Sequence, residues 1–280
     1  MTYKRFLKEY EDLSGKLIIV TGGTSGIGCE LIKHLLSKNA SVLMLSRNLK
    51  KADKCVKMYK GLYPNAKIDV LEYDQASFES IRKACDVIID KYSDFYTLVA
   101  NAGTLVGPKG GYTVDGYPTT IGVNYVGVRY LLDYLTSKLD KPHKFVIQGS
   151  IVGGLKLKKN ADLKNGKYGV FTQYNISKIY LEAYVNKLQH NNPKHEYILT
   201  EPGISSTHIT RHFNVAIRAS GKVFLSIFFH SPKKASLTLL DGIRSPNGEY
   251  IVPRGLLTMS GLPKHKKFPH HRVREQIVKD

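Results

Sequence analysis

Between Lys16 and Gly28 the chain reads KLIIVTGGTSGIG, and no other stretch restricts its fold as strongly. Leu17, Ile18, Ile19 and Val20 are consecutive apolar residues, the pattern of a strand covered on both faces. Thr21 and Gly22 end the run. Gly22, Gly26 and Gly28 crowd a tight turn, with Thr24 and Ser25 inside it, and Ile27 to Leu36 resumes with helical periodicity. A strand, a glycine turn and a helix start bring backbone N–H groups and the positive end of a helix dipole to one point. That arrangement suits a nucleotide pyrophosphate. The spacing Gly-(x)3-Gly-x-Gly is not the commoner G-x-G-x-x-G. No Gly-Lys-Ser/Thr follows, so it is not a P-loop either. Taken alone, a glycine-rich turn without a ligand is a competing reading.

The rest of the chain alternates short apolar runs with amphipathic ones. Strands are expected at Ser41 to Ser46, Ala66 to Tyr73, Thr97 to Ala100, Lys144 to Gln148, Glu196 to Leu199 and Glu249 to Val252. Helices are expected at Asn48 to Leu62, Phe78 to Tyr92, Thr119 to Leu139, Tyr174 to Gln189 and Pro232 to Leu240. Such alternation implies crossover connections, and so an α/β fold: a doubly wound parallel sheet of about seven strands with helices on both faces. The 280 residues show no internal repeat and no linker, so a single domain spanning 1–280 is expected. The polar stretch from Ile151 to Gln173 reads as a functional loop.

Composition excludes some classes. No apolar run approaches the ~20 residues of a membrane span, and the N-terminus lacks the apolar core of a secretory signal. Cys29, Cys55 and Cys85 are scattered and odd in number, which suggests reduced thiols and a cytoplasmic location. The net charge of +19 permits contact with anions. Its basic residues are spread along the chain, so nucleic-acid binding is not expected; a basic tail occupies 262–280.

Arg47 follows the second strand at the position where an acid would hold an adenosine ribose. A guanidinium there suits a 2′-phosphate, so NADP(H) is expected over NAD(H). Asn48 adjoins it, and Lys50 and Lys51 add to the field. Asp74 ends the third strand and can accept from an adenine amino group or serve as a turn residue. Asn101, Ala102 and Gly103 end the fourth, where small residues leave room for a flat ring. Tyr174 and Lys178 are spaced i, i+4 on one helix face. A tyrosine needs a nearby cation to become an acid–base group at working pH, and Ser150 can donate to a carbonyl oxygen. The three together suit proton transfer at a C–O centre.

With these residues in place, the chain resembles the short-chain dehydrogenase/reductases from about Leu13 to Val252. The glycine turn, Asn101-Ala102-Gly103, Asn124, the Ser150, Tyr174 and Lys178 set, and Pro202-Gly203 occur in that family's order. The resemblance implies a Rossmann-type fold, Tyr174 as acid–base, Lys178 lowering its pKa and binding the nicotinamide ribose, and Ser150 positioning the substrate carbonyl. It implies that Asn124 holds a backbone kink and a water in a proton relay, and that Thr207 contacts a nicotinamide carboxamide. It also implies homodimer or homotetramer association. The long gap from Ser150 to Tyr174 looks like the retinol-dehydrogenase and protochlorophyllide-reductase-like branch. Ala100 and Glu201 depart from the usual residues before Asn101 and Pro202, which leaves the substrate open.

The apolar segment Val215 to Phe229 falls where the resemblance puts a substrate lid, near 205–230. It favours a hydrophobic carbonyl or alcohol substrate, and peripheral membrane contact stays open. His208 and His212 have the spacing of a zinc pair, but no third ligand is apparent, so no metal is expected. The expected activity is carbonyl–alcohol interconversion. A non-catalytic dinucleotide sensor or scaffold and a double-bond reductase of the same family are the alternatives.

Overall fold

Short apolar runs bounded by turn residues become the strands β1 (Leu17–Thr21), β2 (Ser41–Ser46), β3 (Lys67–Glu72), β4 (Thr97–Ala100), β5 (Lys144–Gln148), β6 (Glu196–Thr200) and β7 (Glu249–Pro253). The amphipathic runs become α1 (Tyr3–Glu9), α2 (Gly26–Leu36), α3 (Leu49–Leu62), α4 (Phe78–Lys91), α5 (Thr119–Ile121), α6 (Gly127–Lys138), α7 (Val170–Asn191) and α8 (Pro232–Arg244). The computed structural model describes residues 2–107, 110–154, 160–203, 231–255 and 258–267. Thr207, His208, His212, the apolar 215–229 segment and the tail beyond 267 lie outside them.

The strand order is β3-β2-β1-β4-β5-β6-β7-β8, and every pair is parallel except the last. The expected count of about seven therefore grows by one. The extra strand β8 (Pro263–Lys267) runs antiparallel to β7 and uses the first part of the stretch read as a basic tail. Strand direction along the sheet reverses its sequence order between β1 and β4. A crevice opens at such a switch point, beyond the carboxyl ends of the strands.

Side-chain alternation splits the core into two layers. Ile19, Leu43 and Leu45 point into the layer closed by α4, α6 and α7. Ile18, Val20, Val42 and Met44 point into the other, under α2, α3 and α8. α1 is tied down by the Tyr10 hydroxyl, which donates to the Leu240 carbonyl at 2.6 Å. Among the described residues no helix is long and apolar enough to cross a membrane.

Two helices differ from expectation. α7 starts at Val170, four residues before Tyr174, so the loop after Ser150 is shorter than its sequence suggested. The helix expected over Thr119 to Leu139 contains a π turn at Gly122–Val126. Widened turns of this kind collect at functional sites, and Asn124 sits inside this one.

Candidate active site

The crevice above β1 and β4 is a cleft of about 520 Å³, within the size range of small-molecule sites. Its walls include Gly22, Thr24, Ser25, Gly26, Ile27, Arg47, Asn48 and Asp74 at one end. At the other they include Asn101, Ala102, Gly103, Ser150, Tyr174, Lys178, Pro202 and Gly203. Nearly the whole set expected from sequence thus meets in one place. Gly28 and Asn124 do not line the cleft, and both act from behind it.

The glycine turn is shaped by close approach. Gly22 has φ +73°, and a Cβ on it would lie 2.9 Å from the Ala102 Cα. A Cβ on Gly28 would lie 2.4 Å from the Gly22 carbonyl oxygen and 2.5 Å from Asn101 Nδ2. No side chain fits at either point, so α2 begins close to the floor with its first-turn N–H groups unpaired within the helix. From below, the buried Tyr59 hydroxyl donates to the Gly23 carbonyl at 2.9 Å. This is a cradle for a pyrophosphate.

Arg47 is exposed at the mouth and has no ion-pair partner among the described residues. Asn48 caps α3, its Oδ1 accepting from the Lys51 N–H at 2.9 Å. Arg47, Lys51 and a helix N-terminus therefore share one corner. Asp74 lines the cleft, and its Oδ1 accepts from the Ala76 N–H at 3.0 Å, as a turn residue does.

The end of β4 is clipped to β1. Thr21 Oγ1 accepts from the Asn101 and Ala102 N–H groups at 3.0 and 2.9 Å, and Asn101 Nδ2 donates to the Thr21 carbonyl at 3.0 Å. Asn124 is 1% exposed and faces the interior. Its Oδ1 accepts from the Thr104 N–H at 2.7 Å. Its Nδ2 donates to the Thr104 carbonyl at 2.8 Å and to Ser177 Oγ at 3.2 Å. The side chain thus locks the chain beyond Gly103 to the π turn.

At the inner end, the Tyr174 hydroxyl lies 3.4 Å from Ser150 Oγ. Lys178, buried one turn further along α7, donates to the Gln148 carbonyl at 2.8 Å. The lowering of the Tyr174 pKa by Lys178 is not met in this geometry. Burial pushes the phenol above its usual value, opposed by the Ser150 hydrogen bond. The same burial pulls Lys178 down to about 8, against a rise from Glu182. At neutral pH the lysine is still mainly an ammonium, poised for a nearby negative charge.

Several contributors were missed. Gln75 donates to the carbonyls of Val123 at 2.6 Å and Ala102 at 3.1 Å, joining the π turn to the end of β4. Glu201 is buried and is held by the hydroxyls of Tyr250 and Thr258, which accounts for an acid standing before Pro202. Neither partner is near in sequence, so only the fold reveals the match. The low cradle, the cation corner and the flat floor together fit a nicotinamide dinucleotide.

The comparisons agree. A short-chain dehydrogenase TIC 32 A, chloroplastic, of Brassica napus is 26% identical over 261 residues, covering 86% of this chain and 81% of its own. Retinol dehydrogenase 13 of Mus musculus is 26% identical over 254 residues, covering 85% and 76%, in keeping with the branch suggested by the gap before Tyr174. The crystal structure of a short chain dehydrogenase from Burkholderia cenocepacia in complex with NADP superposes with a TM-score of 0.64 at 20% identity, covering 83% of this chain and 92% of that one. The family described as short chain dehydrogenase matches residues 16–216, and the chain belongs to that family of oxidoreductases.

Proposed function

We propose that the protein is an NADP(H)-preferring oxidoreductase that interconverts a carbonyl and an alcohol, with Tyr174 as the acid–base. The observation that carries this is the Tyr174 hydroxyl 3.4 Å from Ser150 Oγ at the closed end of the cleft, with the buried Lys178 one turn away. A bound reduced nicotinamide supplies the hydride. A substrate oxygen between the two hydroxyls accepts a hydrogen bond from Ser150 and, as the carbonyl carbon is reduced, a proton from Tyr174. The tyrosinate left behind is stabilised by the Lys178 ammonium and by Ser150. In the reverse direction Tyr174 takes the alcohol proton.

Arg47 and Lys51 beside the start of α3 support the 2′-phosphate preference. The free cysteines fit a reducing, cytoplasmic setting. Tyr174→Phe removes the proton donor and leaves the cleft walls intact. The expected result, with NADPH and a panel of ketones and aldehydes, is a loss of about 10²–10⁴ in turnover with NADPH binding nearly unchanged. Turnover at the wild-type rate refutes the role.

A further inference from the structure

The connection from β7 to β8 folds back against the end of β6. Within it the Arg254 N–H donates to the Leu262 carbonyl at 2.8 Å, and the Thr258 N–H donates to the Gly255 carbonyl at 3.0 Å, so its described part closes on itself as a turn. This turn meets the end of β6 at two points. Gly203 has φ +70°, and a Cβ on it would fall 2.5 Å from the Met259 carbonyl oxygen, so main chain lies close on main chain there. Two residues earlier, Thr258 Oγ1 donates to Glu201 Oε2 at 3.2 Å, and the Tyr250 hydroxyl donates to Glu201 Oε1. Pro202 lies between the two contacts.

The pairing of β6 with β7 carries on to Glu201, whose N–H donates to the Ile251 carbonyl at 2.8 Å. Beyond it Pro202 has no N–H to add to the ladder. Pro202 and Gly203 line the same cleft as Ser150 and Tyr174, whereas Glu201, 2% exposed, and Thr258 are not among its walls. The acid therefore works from behind the wall, joining β6 to β7 through Tyr250 and to the turn through Thr258.

Thr258 has φ +59°. Among the described residues the other non-glycine with a positive φ is Asn39, of a type that tolerates this region; a β-branched side chain is an outlier there. Such conformations persist where the surroundings over-determine them. A glycine would fit the turn without strain, but it would offer no hydroxyl to Glu201.

We propose that Glu201 and Thr258 are positioning residues for the nicotinamide half of the dinucleotide: their hydrogen bond sets the β7–β8 turn against Pro202 and Gly203 and fixes that wall of the cleft. The inference rests on the functional reading above and extends it to a segment outside the cleft.

The test compares two ligands by calorimetric titration. NADPH needs both ends of the cleft, whereas 2′,5′-ADP has no nicotinamide and reports only the end formed by the glycine turn and Arg47. Thr258→Val keeps the branched shape and loses the hydroxyl. The expected result is a Kd for NADPH raised about five- to tenfold, the order set by one hydrogen bond, with the Kd for 2′,5′-ADP unchanged. Thr258→Ser keeps the hydroxyl and restores the wild-type ratio of the two constants. A loss shared equally by both ligands marks a merely structural role and overturns the inference. So does an unchanged ratio in folded Thr258→Val, or a ratio that Thr258→Ser fails to restore. If the valine variant does not fold, Thr258→Gly, which suits the φ and lacks the hydroxyl, decides by the same ratio. Binding of neither ligand by the wild-type protein removes the functional reading itself, and this inference with it.

Discussion

Replacing Arg47 by aspartate reverses the charge at the corner assigned to the 2′-phosphate. The guanidinium is exposed and has no ion-pair partner among the described residues, so its removal breaks no ion pair in the fold. A hydrogen bond to a charged group contributes about 1.5–3 kcal/mol, and the lower end applies at a solvated rim. The new carboxylate adds repulsion from the phosphate, about 1 kcal/mol per charge pair at 4 Å in water. Together these weaken NADPH by about 3 kcal/mol, or roughly 100-fold. Lys51 still stands at the corner and limits the loss. NADH has no 2′-phosphate, and its ribose hydroxyl can donate to the new carboxylate, so its affinity rises a few-fold. Fluorescence titration with each nucleotide at fixed ionic strength gives the two dissociation constants. A ratio within about threefold of wild type would mean that the phosphate is held elsewhere, or not at all.

Two further perturbations probe the frame behind the cleft. Asn124→Ala strands the Thr104 N–H and carbonyl in a part-buried setting, and a loss of about 1–3 kcal/mol in urea unfolding is expected; a variant as stable as wild type contradicts the lock described for the π turn. Lys178→Met removes a cation whose folded pKa is lowered to about 8. Because the unfolded lysine keeps its proton to a higher pH, burial of the charge destabilises the wild type at neutral pH. That penalty fades as the pH rises through 8. Urea unfolding at pH 7 and 9.5 should therefore show the wild type gaining on Lys178→Met by an amount on the order of 1–3 kcal/mol, and equal pH slopes for the two proteins reject the shift.

Much of this site can be read from the chain because its parts are local. The glycine turn, Arg47, the small residues after β4, and Tyr174 with Lys178 each sit at a strand end or a helix start. A parallel sheet brings every such end to the same edge. What stayed hidden depends on partners far along the chain. The π turn exists where Asn124 reaches Thr104 and Ser177; the apolar pattern around GVNYV reads as plain helix, and only the resemblance, which put a backbone kink at Asn124, points to it. Glu182 reads as an ordinary acid in LEAY until Gly149 and Gly153 fold against it. Tyr59 and Gln75 brace backbone carbonyls that no pattern links to them. The segment PKHKK shows no apolar alternation: its four basic residues are exposed, its backbone pairs with β7, and His265 reaches the distant Asp241 at 2.7 Å.

That last strand has a consequence for how two copies of the chain can meet. The border of the sheet beyond β7 is a ribbon of main-chain groups fenced by Lys264, His265, Lys266 and Lys267. Lengthening the sheet border to border would set ammonium groups against ammonium groups, a familiar guard against runaway strand addition. A pairing of protomers that leaves this fence standing has to use other surfaces, either the helical faces or the opposite border of the sheet along β3.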